Sequence, residues 1–124
     1  MGKKYKILII DDSQDTVAGV RNFLDGKYQT ATACNGLDGL NTFENDRDGI
    51  DLVITDLVMP EMSGVALIGA IKKKYPATPV IAMTGWGHHP KGLATEAKAD
   101  LILDKPIEME DLDQSISSLL VRRV

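Results

Sequence analysis

The sequence predicts an α/β fold in which helices cover both faces of a parallel sheet. Five short strand-like segments alternate with five segments whose apolar residues recur at helical spacing. Alternation of this kind implies right-handed βαβ crossovers between parallel strands. Several of the strand-like segments are continuous apolar runs, as expected for strands that are buried on both faces.

Each predicted strand stops at a polar residue or a turn. The five segments cover residues 5–10, 28–34, 52–54, 80–83 and 101–103. Apolar residues at helical spacing predict the helices between them. These helices run from an N-cap at Ser13 to a stop at Gly26, and then over 37–43, 65–75, 93–99 and 108–123. The pair Asn35-Gly36 predicts a turn before the second helix.

Length and composition predict one soluble domain that covers residues 1–124. Of the 124 residues, 44% are hydrophobic and 26% are charged, as is typical of a globular protein. A net charge of −4 argues against direct binding of nucleic acid. The first apolar run, residues 7–10, is too short for a signal peptide or a membrane-spanning helix, so we expect a cytoplasmic protein with no membrane partner. The single cysteine, Cys34, has no partner for an internal disulfide and is interpreted as a small core residue.

Polar side chains follow four of the five predicted strands. These residues are Asp11 and Asp12, Asp56, Thr84 and Lys105. Because parallel strands end at one edge of the sheet, we expect these side chains to lie together. Three carboxylates repel one another unless a positive charge lies among them, and Mg²⁺ prefers carboxylates, waters and phosphate oxygens. Carboxylates, a metal ion, a lysine and a hydroxyl are the groups needed to transfer a phosphoryl group to an aspartate.

Each of these residues also has a structural interpretation when it is considered alone. Asp12 could cap the first helix, Asp56 could be a turn residue before Pro60, Thr84 could end a strand, and Lys105 could be a solvated charge. Four such coincidences at one edge are much less probable than one shared site. Two other groups favour structural interpretations: the run 72–74 of three lysines as a solvated helix end, and the pair 88–89 of histidines as exposed loop residues.

With these residues in this order, the chain resembles a response-regulator receiver domain of two-component signalling. The resemblance covers nearly the whole chain. Four motifs carry it: Asp11-Asp12, the stretch 56–64 that begins at Asp56, Thr84-Gly85, and Lys105-Pro106. It implies a flavodoxin-like, doubly wound sheet of five parallel strands in the order 2-1-3-4-5.

The resemblance also implies the parts of a metal and phosphoryl site. Asp12 and Asp56 would bind Mg²⁺ through their side chains, the Val58 carbonyl would be a third ligand, and Asp11 would act mainly through bound water. Asp56 would be the phosphoacceptor. Lys105 would pair with the phosphoryl oxygens. The peptide bond between Lys105 and Pro106 would be cis, as it is in relatives.

A further implication concerns signalling and partners. A sensor histidine kinase or a phosphotransfer protein would supply the phosphoryl group, and a downstream output protein or output domain would receive the signal. Thr84 would bond the phosphoryl group and move on activation. The fourth helix, fifth strand and fifth helix would form the switching face. Apart from its own phosphorylation and dephosphorylation, we expect no enzyme activity.

Two positions depart from the family pattern. Ile102 replaces the usual aromatic switch residue, and Ile107 replaces the usual phenylalanine after Lys105-Pro106. They leave open a pseudo-receiver, a binding module of the same fold that acts without phosphorylation. A metal-dependent phosphatase is disfavoured, because its aspartyl nucleophile is typically followed two residues later by an acid, and here that residue is Val58. Val58 and Trp86 cannot act as bases, and we expect them to shield the phosphoryl group and to prolong its lifetime.

Overall fold

The computed structural model describes residues 4–46, 49–85, 95 and 97–122, with the last of these described by its backbone alone. The strands are β1 (Lys6–Ile10), β2 (Gln29–Ala33), β3 (Leu52–Asp56), β4 (Val80–Thr84) and β5 (Leu101–Asp104). The helices within the described residues are α1 (Gln14–Leu24), α2 (Gly36–Asn45), α3 (Gly64–Lys74) and α4 (Met109–Arg122).

The five strands form one sheet in the order β2-β1-β3-β4-β5, and every neighbouring pair is parallel. This result confirms the predicted fold class and strand order. The register pairs Ile10 with Thr55 and Thr84 with Asp104. Because Asp56 also pairs with Met83, the ends of β3, β4 and β5 lie at one edge of the sheet, together with the residue that follows β1.

Helices cover both faces of the sheet, and each face has its own apolar core. Leu8 and Ile10 of β1 point to the face that holds Phe43 of α2 and the buried residues of α3. Ile7 and Ile9 point to the opposite face, which packs against α1 and α4. All residues of β3 and β4 are buried, while the edge strands β2 and β5 are partly exposed. Burial on both faces is thus confirmed for the central strands.

Side chains cap the first three helices. Ser13, Asn35 and Ser63 each accept a hydrogen bond from the backbone N–H three residues later. The prediction that Asn35-Gly36 forms a separate turn was wrong, because Asn35 is the N-cap of α2 and Gly36 is its first residue. Asparagine favours both turns and N-caps, so the dipeptide alone did not distinguish them.

Two other interpretations are corrected by the structure. Cys34 is exposed rather than part of the core, because it follows the edge strand β2. Lys72 is not solvated: only 9% of its side chain is exposed, and its Nζ lies 2.7 Å from Asp100 Oδ2 and 2.7 Å from the Thr78 carbonyl oxygen. The helix turns this lysine toward the start of β5, whereas Lys73 and Lys74 remain exposed.

The predicted fourth helix covers residues 93–99, and only residues 95 and 97–99 of it are described. The histidine pair at 88–89 lies outside the described residues. In the part that is described, Thr95 is helical. The Lys98 N–H donates a hydrogen bond of 3.0 Å to the Thr95 carbonyl, and Lys98 has a φ of 74°. This left-handed residue ends the helical turn before Ala99.

Candidate functional site

An acidic cluster lies at the carboxyl edge of the sheet. Asp11 follows β1 and is fully buried, Asp56 ends β3 and is 7% exposed, and Asp12 is exposed. One carboxylate oxygen from each residue lies within 4.8 Å of the others. The predicted meeting of these side chains is therefore observed. Their oxygens are the hard donors that Mg²⁺ prefers, so the residues fit such an ion.

Lys105 provides positive charge within this cluster. Its Nζ lies 2.8 Å from Asp11 Oδ2 and 3.5 Å from Asp56 Oδ1. The other Asp11 oxygen accepts a hydrogen bond of 2.9 Å from the Ser13 N–H, so Asp11 is fixed on both sides. The peptide bond between Lys105 and Pro106 is cis, as the resemblance implied.

The charges in this cluster shift two pKa values. Burial and the negative charges of Asp11 and Asp12 raise the pKa of Asp56, against the opposing effects of Lys105 and the Leu57 N–H. Burial lowers the pKa of Lys105, but the hydrogen bond and charge of Asp11, together with Asp56, outweigh it and raise the pKa above its usual value. The lysine thus stays charged, while the carboxylates repel one another. A divalent cation would relieve that repulsion.

Thr84 ends β4 beside the lysine. Its side chain is buried, and among the described residues its Oγ1 has no hydrogen-bond partner. A buried hydroxyl without a partner is costly. Thr84 and Lys105 line one cavity of about 270 Å³ with Gly85, Asp104 and Pro106. The hydroxyl and the ammonium are therefore available to a ligand that offers oxygen acceptors.

The remaining predicted residues have less specific surroundings. Val58 is 50% exposed, and Trp86 lies outside the described residues, so the predicted shielding stays a prediction. Ile102 is partly buried and packs against the core beneath α2 and α3. Ile107 is also partly buried, but it packs against the opposite core.

Comparison with known proteins identifies the family. The sequence model for the response regulator receiver domain matches residues 7–117. The chain belongs to this receiver domain family. The receiver domain is similar to the transcriptional regulatory protein GlrR of Escherichia coli (strain K12), with 36% identity over 121 residues, 95% of this chain and 27% of GlrR. It is also similar to the transcriptional regulatory protein CiaR of Streptococcus pneumoniae (strain ATCC BAA-255 / R6), with 33% identity over 118 residues, 94% of this chain and 52% of CiaR.

A solved structure agrees with this assignment. The crystal structure of a response regulator receiver domain protein from Clostridium thermocellum has a TM-score of 0.87 and 35% identity, and the match covers 96% of each chain. Because the receiver domain spans 27% of GlrR and 52% of CiaR, it corresponds to part of those curated relatives. Among the described residues, no helix is both long and apolar enough to cross a membrane.

Sequence reasoning missed three contacts around the site. It assigned Asp11 to a metal-bound water and did not anticipate the ion pair with Lys105, 94 positions away. It also missed the close approach of Gly64 to the main chain of Asp56 and Leu57, and that of Gly36 to Met62. Glycine at the first position of a helix was the available signal, since glycine permits close backbone contact.

Proposed function

We propose that this receiver domain, residues 1–124, takes a phosphoryl group onto Asp56 from a sensor histidine kinase or a phosphotransfer protein. It then passes the signal to an output protein or an output domain. One observation carries the proposal: Asp56 lies among Asp11, Asp12 and Lys105, next to a buried Thr84 hydroxyl that has no partner among the described residues. This set combines a nucleophile, an acidic cation site and two groups that favour phosphate oxygens.

The transfer uses the chain's own groups as follows. A carboxylate oxygen of Asp56 attacks the phosphorus of the donor, and the bond between phosphorus and the leaving group breaks, so that the leaving group takes the electron pair. The Lys105 ammonium neutralises charge on the phosphoryl oxygens. The Thr84 hydroxyl donates a hydrogen bond to one of them, which gives this buried group its partner. The signal then passes through Thr84 to the predicted switching face, of which β5 and α4 lie within the described residues.

The acidic cluster fits Mg²⁺. Asp12 and Asp56 would hold the ion through their side chains, Val58 through its carbonyl, and Asp11 through water, in line with the family resemblance. When bound, the ion supplies positive charge that offsets the carboxylates and the incoming phosphoryl group. Asp56 must be ionised to attack, and both this charge and Lys105 favour its ionised form against the effect of burial.

The protein acts in this proposal as a cytoplasmic signalling module. Its reactions are limited to its own phosphorylation and dephosphorylation, and it binds neither nucleic acid nor a membrane directly. A pseudo-receiver that binds partners without phosphorylation is the alternative, and it is favoured by Ile102, an aliphatic side chain at the switch position. Both candidates share the fold, so only chemistry separates them.

The test is incubation with acetyl phosphate and Mg²⁺, followed by measurement of the intact mass. We expect a gain of about 80 Da, from a phosphoryl group that carries about two negative charges at neutral pH in place of the one on the Asp56 carboxylate. Asp56→Asn should abolish the gain, while Asp15→Asn, an exposed aspartate on α1, should retain it. A wild type that gains no mass would favour the pseudo-receiver, and a gain in Asp56→Asn would disprove the assignment of the acceptor.

The lifetime of the phosphoryl group is a separate part of the proposal. Val58 offers no side-chain hydrogen bond to an attacking water, and Trp86 has no basic group. We expect a Val58→Asn, Trp86→Glu double variant to lose the phosphoryl group faster than the wild type. Equal decay would show that these side chains do not shield it.

A further inference from the structure

The loop between β3 and α3 contains a strained turn close to Asp56. The Met62 N–H donates a hydrogen bond of 2.8 Å to the Pro60 carbonyl, two residues earlier, and Glu61 between them has a φ of 69°. A hydrogen bond of this span around a positive φ defines a γ-turn of the rare, strained type. A residue other than glycine persists in such a conformation only when its surroundings enforce it.

Helix α2 supplies one of the contacts that enforce this turn. Gly36, its first residue, lies directly against the main chain of Met62. A Cβ atom at position 36 would lie 3.0 Å from the Met62 carbonyl carbon and closer still to its oxygen. Because these opposing atoms are backbone, no change of rotamer can make room for the added carbon. Only glycine therefore allows α2 to approach the loop so closely.

The amino end of α2 is itself held firmly. The Asn35 side chain accepts a hydrogen bond of 2.8 Å from the Asp38 N–H and donates one of 3.0 Å to the Asp38 carboxylate. One turn later, on the same face, Gly39 packs against Ile10, the residue before Asp11. The helix thus contacts both the end of β1 and the loop after β3.

Short contacts connect Met62 back to the phosphoacceptor. The Gly64 N–H donates a hydrogen bond of 3.0 Å to the Leu57 carbonyl, and a Cβ atom at position 64 would lie 2.7 Å from Leu57 Cα. The Leu57 N–H in turn donates a hydrogen bond of 2.9 Å to Asp56 Oδ1. A shift of Met62 would therefore change the loop that orients this carboxylate.

We propose that Gly36 is a positioning residue for the acidic site. Gly36 allows α2 to lie directly against the Met62 carbonyl, and this contact maintains the strained turn. This turn holds the Asp56 carboxylate and the Val58 carbonyl in position for a divalent cation. The inference rests on the proposed function of Asp56, and it requires no contact between Gly36 and the cation itself.

The test compares Gly36→Ala with the wild type in two measurements. In calorimetric titration with Mg²⁺, the Kd should rise by about tenfold, the lower end of what a change behind the metal ligands costs. In the metal-free protein, the amide hydrogens of Met62 and Gly64 should exchange faster, because both are bonded within the loop. Phosphorylation by acetyl phosphate should slow at low Mg²⁺ and recover in part at saturating Mg²⁺.

Two alanine variants provide matched controls. Gly69 lies in α3, and a Cβ atom at that position would meet no described atom within 4 Å beyond its own helix, so Gly69→Ala should leave the Kd and the loop exchange unchanged. In Gly39→Ala, the added Cβ would lie 2.5 Å from Ile10 Cδ1 and 3.0 Å from Ile10 Cγ1, so it would crowd β1 rather than the loop after β3. It should lower the melting temperature while leaving the exchange of the Met62 and Gly64 amides unchanged, as expected for packing alone.

Asn35→Ala covers the case in which Gly36→Ala does not fold. It loosens the same helix end without adding an atom, so we expect a smaller rise in the Kd and faster exchange at Met62. A wild-type Kd and wild-type loop exchange in both Gly36→Ala and Asn35→Ala would overturn the proposal. If the wild type itself bound no Mg²⁺ or took up no phosphoryl group, the proposed function would fail, whereas the exchange measurement would still decide whether Gly36 holds the loop.

Discussion

Both edges of the sheet place carboxylates beside lysines, but the balance of charge differs between them. At the amino edge, Asp100 Oδ2 accepts a hydrogen bond of 2.7 Å from the Val80 N–H and lies 2.7 Å from Lys72 Nζ. Asp51 Oδ2 at this edge likewise accepts a hydrogen bond of 2.8 Å from the backbone N–H of Lys6. Each carboxylate there is thus bonded to the first residue of a strand.

The carboxyl edge lacks this balance. Among the described residues, the Lys105 ammonium pairs with Asp11 and Asp56, Asp12 adds a third carboxylate to the cluster, and the Thr84 hydroxyl has no partner. The amino edge shows that this fold can satisfy its charges where only stability is required. The excess negative charge at the carboxyl edge is what the proposed cation binding and phosphoryl transfer require, so stability and function should respond differently at the two edges.

The largest expected effect on stability comes from the amino edge. Lys72→Met would leave the Asp100 carboxylate and the Thr78 carbonyl without their buried ammonium. We expect a loss of about 2 kcal/mol in the free energy of unfolding, less than for a fully buried pair because Asp100 is one-third exposed. Urea denaturation measures this loss. Lys73→Met, at the exposed neighbouring position, should change stability by less than about 0.5 kcal/mol; equal losses would show that the pair contributes nothing specific.

A smaller gain should follow when Mg²⁺ binds the carboxyl edge. At a free concentration ten times its Kd, the ion should stabilise the wild type by about 1.4 kcal/mol, because it binds only the folded chain. Thermal unfolding with and without Mg²⁺ measures the gain. Asp12→Ala removes an exposed member of the acidic cluster and should abolish most of it. An undiminished gain in that variant would place the ion elsewhere.

The buried hydroxyls of two threonines should respond with opposite signs. Thr84→Val removes a group that has no partner among the described residues, and we expect stability to rise by about 1 kcal/mol. Thr55→Val is the matched control, since Thr55 Oγ1 donates a hydrogen bond of 2.9 Å to the Asp56 carbonyl, and its loss should cost about 1 kcal/mol. Urea denaturation of both variants checks the difference. If Thr84→Val were less stable than the wild type, the Thr84 hydroxyl would not be a group that lowers the stability of the folded protein.

The smallest effect is expected from neutralising the phosphoacceptor in the metal-free protein. Folding raises the pKa of Asp56 above its ordinary value of 3.8. At any pH above this raised pKa, the charged carboxylate therefore destabilises the folded state relative to the unfolded state. Asp56→Asn should therefore melt slightly higher than the wild type at neutral pH. The difference should shrink as the pH falls through the folded pKa and vanish below 3.8, where Asp56 is protonated in both states. Melting temperatures across this range would refute the argument if the variant were less stable at neutral pH.

The sequence allowed the fold and the positions of the site residues to be predicted because strand ends are local features. In a parallel sheet, Asp11, Asp56, Thr84 and Lys105 reach the same edge by topology alone. Which side chains at that edge form ion pairs or hydrogen bonds with one another was not predictable in the same way. The ion pair of Asp11 with Lys105 depends on side-chain geometry between residues 94 positions apart.

The errors have a related physical cause. Cys34 was interpreted from its usual burial, yet it follows a strand at the sheet edge. Lys72 was interpreted from its place in a run of lysines, yet its ammonium reaches Asp100 and Thr78, which lie just before β5 and β4. In each case the environment was set by elements distant in sequence. Composition and local pattern carry no information about those neighbours.

The ion pair between Asp11 and Lys105 also determines when, during synthesis, the acidic cluster gains its positive charge. It joins the residue after β1 to the residue after β5, so nearly the whole domain lies between the two partners. A nascent chain that has released only its first four strands holds the acidic cluster without its ammonium. On the proposed function, a chain stalled on the ribosome before residue 105 should therefore accept a phosphoryl group poorly, because the ammonium that would neutralise the phosphoryl oxygens has not yet been added.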